Sequence, residues 1–345
     1  MINKTFPFFV ILIFSSFAWS QCDDEFEYIQ GDCYWSDDIA ALSDIISQNN
    51  LPFDILECGG QNWIDGRLTY LEIPFMEIEI VPPSIGNLTE VGQLSMPFNN
   101  ITALPPEIGN MSHLYKIDVT SNQLTSLPEE LGYLENLAGI LGADNLITEI
   151  PTSILNMSWL VELNLNENEI SQFPQTNGNW LSMNALYLNN NLIENIPDEI
   201  SEISNLKQFS IQSNLIQIIP SSISELDSLS GLYINNNLIS ELPEGICELN
   251  LNFDYAFNVS NNFICPPYLE CMSTYNIESQ DTTNCSDCTA VIGDVNDDNI
   301  INVLDIVTTV NCIFADLCTS CSDMNDDGVT NILDIVLMVN IIMGE

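Results

Sequence analysis

The sequence predicts an α/β solenoid with one parallel sheet, followed by a small all-α domain that holds two metal ions. Three observations support this prediction. A 23-residue period runs through the middle of the chain, and a 29-residue period covers its C-terminal part. In that C-terminal part, apolar residues recur at helical spacing after each of two acidic clusters. We therefore expect two different kinds of folded unit in one chain.

The charge of the chain excludes two classes of partner. Its 345 residues include 4 Lys and Arg against 49 Asp and Glu, which gives a formal net charge of -45. Nucleic acid and an anionic membrane surface would both repel such a chain. Because 46% of the residues are hydrophobic, the acidity does not predict disorder.

The sequence gives little support to an enzyme, and we expect no catalytic residues. His113 is the only histidine, which argues against a serine or cysteine hydrolase. Glu162 and Glu167 lack the spacing that would identify a glycosidase pair. The sequence therefore predicts a protein that binds rather than one that catalyses.

Residues 1–20 are predicted to be a secretory signal peptide. Lys4 precedes an apolar run over residues 6–14, and Ala18 and Ser20 provide the small side chains of a cleavage site. The run is too short to cross a bilayer core of about 30 Å, and no later segment is long and apolar enough to do so. We therefore expect a secreted protein, extracellular or associated with a cell surface.

Asparagines define the repeats, because they stand at one register of seven consecutive 23-residue units. They are Asn99, Asn122, Asn145, Asn168, Asn191, Asn214 and Asn237. Met76 occupies this register in one more copy upstream, and Asn262 occupies it downstream after a two-residue insertion, which gives nine repeats with the pattern LxxLxLxxNxLxxLP. The alternating leucines predict a short strand in each repeat and a continuous core between stacked repeats. The asparagine side chains are expected to bond to backbone groups between successive coils.

This pattern resembles leucine-rich-repeat proteins of the 23-residue type over residues 68–265. The resemblance implies a cysteine-containing cap at each end, here residues 21–67 and a C-terminal cap and linker over residues 266–289. The cysteines concerned are Cys22, Cys33 and Cys58 at the first end, and Cys247, Cys265, Cys271 and Cys285 at the other. Their pairing cannot be deduced from spacing, and the odd total of 11 leaves at least one thiol free, blocked or bonded to another chain.

The resemblance also implies that the ligand surface is the concave sheet, formed by the residues that alternate with the buried leucines. The candidates share aromatic, amide, hydroxyl or charged side chains. They are Tyr70, Phe75, Phe98, Lys116, Asp118, Glu162, Asn164, Tyr187, Gln208, Gln212, Tyr233 and Asn235. Eight steps of about 4.8 Å make a sheet almost 40 Å long, which favours an extracellular protein ligand over a small metabolite. Stacking of the aromatic rings on sugars is the alternative, with a glycan as ligand.

Two acidic segments near the C-terminus have the ligand spacing of calcium loops. Each offers side-chain oxygens at places 1, 3, 5, 9 and 12 of a twelve-residue segment and a carbonyl at place 7, the all-oxygen set that a hard cation needs. The first set is Asp294, Asn296, Asp298, Ile300 (carbonyl), Asn302 and Asp305. The second set is Asp323, Asn325, Asp327, Val329 (carbonyl), Asn331 and Asp334. The spacing therefore predicts two calcium ions as cofactors.

Aspartate rather than glutamate at the twelfth place, in two copies each followed by one helix, resembles a type I dockerin over residues 290–345. The resemblance implies docking onto a cohesin-type module of a scaffold or cell-surface protein. Members of that family commonly carry hydroxyl residues where this chain has Val303, Leu304, Ile332 and Leu333, and the sequence has no Lys or Arg after Lys207. Docking of the module onto the repeats of its own chain therefore remains open.

The two Cys-x-x-Cys pairs, 285–288 and 318–321, favour disulfides over a zinc ribbon in an exported chain. Cys312, Cys318 and Cys321 are expected to staple the linker between the two loops.

Taken together, the sequence predicts a secreted non-catalytic binding protein with a calcium-dependent attachment module. The alternative is an accessory component of an extracellular polysaccharide-degrading assembly, in contact with glycans through Tyr70, Tyr187 and Tyr233.

Overall fold

A computed structural model describes residues 22–175, 178–283, 291–296, 298, 300–315, 318, 320–325 and 327–343. The predicted signal peptide, Cys285 and Cys288 lie outside these residues. Within the described residues, no helix has the length and apolarity needed to cross a membrane.

Short strands dominate the chain. They are β1 (Phe26–Ile29), β2 (Asp32–Trp35), β3 (Gly60–Ile64), β4 (Arg67–Glu72), β5 (Gln93–Ser95), β6 (Lys116–Asp118), β7 (Gly139–Leu141), β8 (Glu162–Asn164), β9 (Ala185–Tyr187), β10 (Gln208–Ser210), β11 (Gly231–Tyr233) and β12 (Phe257–Asn258). The α-helices are α1 (Ser36–Gln48), α2 (Thr152–Leu155), α3 (Thr274–Glu278), α4 (Val303–Ala315) and α5 (Ile332–Met343). Short 3-10 helices cover Ile55–Glu57, Pro83–Asn87, Pro106–Asn110, Glu129–Tyr133, Asp198–Glu202, Ser221–Glu225, Glu244–Glu248 and Ser320–Ser322.

One ten-stranded sheet runs from β3 to β12 in chain order. The strands β4 to β12 are parallel neighbours, and β3 pairs antiparallel with β4 at the N-terminal end. From β4 to β11, partners in adjacent coils are 23 residues apart, as for Leu94, Ile117 and Ile140, and the two-residue insertion makes the offset 25 between β11 and β12. The predicted solenoid and its register are confirmed.

The core fills the space between the sheet and the return segments. Leu163, Leu165, Leu186 and Leu188 are all fully buried. Return segments begin where proline follows an apolar residue, and in most coils this proline precedes a short 3-10 helix. Because a 3-10 helix is wound more tightly than an α-helix, the return segments of these coils are narrow.

The asparagine ladder forms as predicted, and Asn168 illustrates it. Its Oδ1 accepts a hydrogen bond from the Ile147 amide at 2.9 Å. Its Nδ2 donates to the carbonyl of Gly142 in the preceding coil and to those of Leu165 and Asn166 in its own. One side chain thus bonds to four backbone groups across two coils, three of them buried. Met76 cannot do this, but its own amide donates to Asn99 Oδ1 at 2.9 Å.

The N-terminal cap covers the first coil with α1 and the β1–β2 hairpin. A disulfide joins Cys22 to Cys33, whereas Cys58 is a buried free thiol, so the odd cysteine of the described part lies in this cap. The fully buried Asp38 of α1 pairs with Arg67 at 2.9 Å. Burial raises the pKa of Asp38, and the hydrogen bond from Arg67 opposes that rise.

The C-terminal cap completes the ladder with residues that the repeat pattern did not reveal. Gln280 accepts from the Ile264 amide and donates to the Val259 carbonyl, as an anchor asparagine of a further coil would do. Asn276 of α3 accepts from the Val259 amide and donates to the Phe257 carbonyl, so it occupies the exposed edge of β12. A disulfide between Cys247 and Cys271 holds this cap to the last coils.

The two predicted C-terminal helices form as α4 and α5, and a disulfide joins Cys312 in the last turn of α4 to Cys318. The Thr309 hydroxyl of α4 lies 3.4 Å from the Met338 sulfur of α5, and both residues are fully buried. The predicted apolar face is only partly covered, because Val307, Val336 and Val339 are 48%, 49% and 40% exposed. The helices therefore leave apolar area in contact with solvent.

Candidate binding surfaces

Row by row, the parallel strands display their outward side chains on the concave face. Lys116, on β6, reaches across β7 to Glu162, on β8, with 3.4 Å between Nζ and Oε2. Gly139 lies between them, and a Cβ there would stand 3.4 Å from Lys116 Cγ. The ion pair spans two coils because the intervening strand carries no side chain at this register.

Two tyrosines lie in one row of this surface, two coils apart, at the ends of β9 and β11. Both Tyr187 and Tyr233 are partly exposed. Burial raises the pKa of Tyr187, and the negative charge of Glu162 adds to the rise. The Tyr187 hydroxyl therefore stays protonated at neutral pH and can donate a hydrogen bond to a ligand.

At the N-terminal end of the same face, the Tyr70 hydroxyl donates to Glu72 Oε2 at 2.8 Å. This hydrogen bond raises the pKa of Tyr70, with burial as a smaller cause. Because the Tyr70 hydroxyl proton is already donated to Glu72, a ligand would contact mainly the Tyr70 ring.

Amide side chains beside the strand ends bind to backbone in neighbouring coils. Asn166 Oδ1 accepts from the Asn189 amide at 2.7 Å, and Asn189 Oδ1 accepts from the Gln212 amide at 3.0 Å. Asn235 Oδ1 accepts no hydrogen bond from any described residue, and the Asn235 residue is only 7% exposed. Asn235 was expected on the ligand face, and the structure corrects this: it is buried and offers little surface.

The other expected residues of this face are partly exposed, except Phe75 and Phe98, which are exposed. Asp118 and Asn164 accept from the amides of Thr120 and Asn166 respectively. Gln208 donates to the Ser230 hydroxyl at 2.9 Å. The face is thus a continuous surface of fixed polar groups, rather than an enclosed cavity.

The two acidic loops have the same hydrogen-bond pattern in both copies. In the first, Asp305 at the twelfth place accepts from the amides of Val295 and Asn296 through Oδ1 and from that of Asn302 through Oδ2. The Asp298 amide donates back to Asp294 Oδ1 at 3.1 Å. These contacts fold the segment into a closed loop that ends at the start of α4.

In the second copy, Asp334 accepts from the amides of Met324 and Asn325 through Oδ1 and from that of Asn331 through Oδ2. The Asp327 amide donates to Asp323 Oδ1 at 3.3 Å. A 29-residue repeat of the sequence is therefore also a repeat of loop geometry.

The oxygen atoms expected to face the centre of each loop are of the type that calcium prefers, but the carboxylates alone do not form a site. Asp294, Asp305 and Asp334 are at most 1% exposed. Among the described residues, no three Asp, Glu, His or Cys side chains converge closely enough to hold a metal. Each expected set also includes two asparagines and a backbone carbonyl, so a calcium ion in the first loop would need the side-chain oxygens of Asn296 and Asn302 as well.

No protein-family model and no curated protein matches this sequence. Its structure is similar to solved structures. A plant ice-binding protein is 20% identical, with 67% of this chain and 88% of that chain covered and a TM-score of 0.55. The LRR ectodomain of the receptor kinase GASSHO1/SCHENGEN3 from Arabidopsis thaliana, in complex with CASPARIAN STRIP INTEGRITY FACTOR 2, is 24% identical, with 58% and 25% covered and a TM-score of 0.51.

A leucine-rich-repeat protein of Leptospira interrogans is 27% identical, with 57% of this chain and 56% of that chain covered and a TM-score of 0.49. The chain thus spans about half of the bacterial protein and a quarter of the receptor ectodomain. At these identities the likeness to the plant proteins bears on architecture alone. With its 23-residue parallel coils and asparagine ladder, the solenoid of this chain has the leucine-rich-repeat fold.

Proposed function

We propose that this chain is an exported, non-catalytic binding protein. Its solenoid presents the concave sheet to an extracellular protein ligand. Its C-terminal loops bind two calcium ions and attach the protein to a second partner, a cohesin-type scaffold or cell-surface module. The observation that carries the proposal is the concave face itself, where side chains of nine parallel strands stand in aligned rows.

A protein ligand suits this face better than a small molecule. The nine parallel strands extend over almost 40 Å at about 4.8 Å a step. The fixed ion pair of Lys116 and Glu162 and the rings of Tyr187 and Tyr233 lie on the same open surface. Aromatic rings with interspersed polar groups are the chemistry of protein interfaces.

The cysteines support export. Three disulfides join described cysteines, Cys22–Cys33, Cys247–Cys271 and Cys312–Cys318, and Cys265 and Cys321 are disulfide-bonded as well. Such bonds persist in oxidising compartments, which is where the predicted signal peptide would send the chain.

One calcium ion would bind in each of the two loops. In the first loop, the cation would be held by Asp294, Asn296, Asp298, the Ile300 carbonyl, Asn302 and Asp305. In the second, it would be held by Asp323, Asn325, Asp327, the Val329 carbonyl, Asn331 and Asp334. The ion would supply the positive charge that the sequence lacks beyond Lys207. The chain's own contribution is the amide hydrogen bonds that hold Asp305 and Asp334 in place.

Attachment is supported by exposed apolar side chains at matching places of the two copies. Val303 and Leu304 are 64% and 54% exposed, and their counterparts Ile332 and Leu333 are 72% and 57% exposed. These four residues occupy places 10 and 11 of the two twelve-residue segments and begin α4 and α5. A surface of this kind, ordered by calcium, fits a partner with an apolar face.

The experiment is capture of partners from the envelope of the producing cell, with the purified chain as bait in millimolar calcium or in chelator. We expect one bound protein to be lost in chelator and a different one to be lost when the bait carries Tyr187→Ala with Tyr233→Ala. Tyr133→Ala, at an exposed tyrosine of a return segment, is the control and should keep both. Identical captures by all three baits, with and without calcium, would contradict the proposal.

A glycan array with the intact protein tests the remaining alternative. Binding to polysaccharide fragments that disappears in the double tyrosine variant would favour an accessory role in polysaccharide degradation instead of protein recognition.

A further inference from the structure

In each coil, the residue directly before the anchor register has a left-handed backbone. The φ angles there lie between 52° and 57° at Phe75, Phe98, Ser121, Asp144, Glu167, Asn190, Ser213, Asn236 and Asn261. Seven of these nine residues are small or polar, as this conformation favours. Phenylalanine is unfavourable there, yet it occupies the first two coils. The backbone requirement of the coil therefore does not explain Phe75 and Phe98.

The two phenylalanine rings stack on each other at the surface. Their centroids are 4.5 Å apart and their planes differ by 2°. Phe75 is 72% exposed and Phe98 is 48% exposed, so neither ring contributes much to the core. The outer face of this pair is a flat aromatic platform, here called the Phe platform.

An open depression of about 440 Å³ adjoins the Phe platform. The loop after α1 supplies Leu51, Pro52 and the 40% exposed Phe53 to its wall, opposite Phe75. This loop is held to the first coil by Asn49, whose Oδ1 accepts from the amides of Glu79 and Ile80 and whose Nδ2 donates to the Ile80 carbonyl. The wall is therefore fixed in place before any ligand arrives.

The charge of the depression is negative. Glu77 and Glu79 line it and are exposed, and its described lining includes no Lys or Arg. The basic residues of neighbouring coils are engaged elsewhere: Arg67 with Asp38 at 2.9 Å and Lys116 with Glu162 at 3.4 Å. Nothing in the depression neutralises the two carboxylates.

We infer that the Phe platform and its depression bind a basic side chain of a partner polypeptide, with arginine preferred over lysine. A guanidinium lies flat on an aromatic face and gains cation–π attraction, while Glu77 and Glu79 accept its charge. An apolar neighbour of that arginine packs against Phe53 and Leu51. A neutral sugar would use the ring but not the two carboxylates. The inference rests on the proposed role of the solenoid in polypeptide binding, and it names the chemistry of the partner.

The test is fluorescence anisotropy with a labelled peptide that carries two Arg-Trp pairs separated by glycine and serine. The key variant is Phe75→Asn with Phe98→Asn, because asparagine occupies the same register at Asn190, Asn236 and Asn261. This variant should melt at the same temperature as the native chain or higher, since it relieves two unfavourable backbone positions. Binding should nevertheless weaken about tenfold or more. Glu77→Gln with Glu79→Gln should also weaken binding and flatten its salt dependence.

Three results would overturn the inference: equal binding by the native chain and the phenylalanine variant, equal binding of a Glu-Trp peptide of the same design, or binding of cellohexaose in place of the peptide. The concave variant Tyr187→Ala with Tyr233→Ala separates the two proposals. If that variant loses its captured partner while the phenylalanine variant binds normally, the concave site stands and the Phe platform does not.

Discussion

The solenoid and the C-terminal loops stabilise their buried polar groups in opposite ways. In the solenoid, each anchor asparagine is neutral and bonds to neutral backbone groups of two coils, as Asn168 does. In the loops, the fully buried carboxyl groups of Asp305 and Asp334 accept hydrogen bonds from backbone amides of their own segments, and the sequence has no Lys or Arg beyond Lys207 to pair with them. A buried charge is costly unless an opposite charge compensates it. The comparison teaches that the solenoid satisfies its buried polar groups within its own coils, whereas in the loops the opposite charge would come from the proposed calcium ions.

The second difference concerns apolar surface. The inward leucines of the coils are fully buried, but apolar residues of α4 and α5 such as Val307 and Ile332 are 48% and 72% exposed. The solenoid thus completes its core within the chain. The C-terminal helices leave part of their apolar surface exposed.

The largest effect is expected inside the solenoid. Leu186→Ala removes a fully buried side chain and should lower the free energy of unfolding by about 3–4 kcal/mol. The matched change Leu192→Ala, at a leucine that is 48% exposed, should cost less than about 1 kcal/mol. Urea denaturation of the purified variants measures both. Equal losses would mean that the coils are not packed as described.

The second largest effect is expected in the asparagine ladder. Asn168→Ala leaves the buried Ile147 amide without a partner and removes three further hydrogen bonds, including one of the two that the Gly142 carbonyl accepts, so it should cost about 3 kcal/mol. The exposed Asn195→Ala should cost almost nothing. Hydrogen exchange at residues 142–168 should rise in the first variant alone, and unchanged exchange there would contradict the ladder as a source of stability.

Calcium should distinguish the two regions directly. At a concentration of one hundred times Kd, each ion should raise the free energy of opening of its loop by about 2.7 kcal/mol. Hydrogen exchange should slow at residues 294–305 and 323–334 and stay unchanged at residues 94–239. Asp305→Asn should remove the effect in the first loop, whereas Asp118→Asn should not. Equal hydrogen-exchange protection of the loops in calcium and in chelator would contradict the proposed calcium sites.

The smallest expected effect is a pH dependence at the surface of the solenoid. Hydrogen bonds from the side chain and backbone amide of Ser153 hold the pKa of Glu129 below its ordinary value. This contribution is present above the ordinary carboxyl pKa of about 4.3 and is lost as the pH falls through the lower folded-state value. Because Glu129 is exposed, the difference between the native chain and Glu129→Gln should be about 0.5 kcal/mol at pH 7. Thermal melts at pH 7 and pH 3 should show that difference shrinking, and a constant difference would contradict it.

Much of the solenoid could be read from the sequence because its contacts repeat. The same spacing that places Leu163 and Leu165 inside also places Glu162 and Asn164 outside, coil after coil. The prediction was wrong at Asn235, which is buried, because the alternation of a strand does not hold at the turn that follows it. The predicted calcium loops and the signal peptide remain predictions.

The sequence by itself determined the period, the inward and outward sets and the oxygen-rich spacing of the two loops, since each is a local pattern of fixed length. Only the tertiary structure decided that Gln280 takes the anchor place beyond the last coil, that Cys58 stays free, and that Phe75 stacks on Phe98. These are contacts between residues far apart in the chain or in different coils. Their partners depend on how coils and caps approach one another, which no local spacing records.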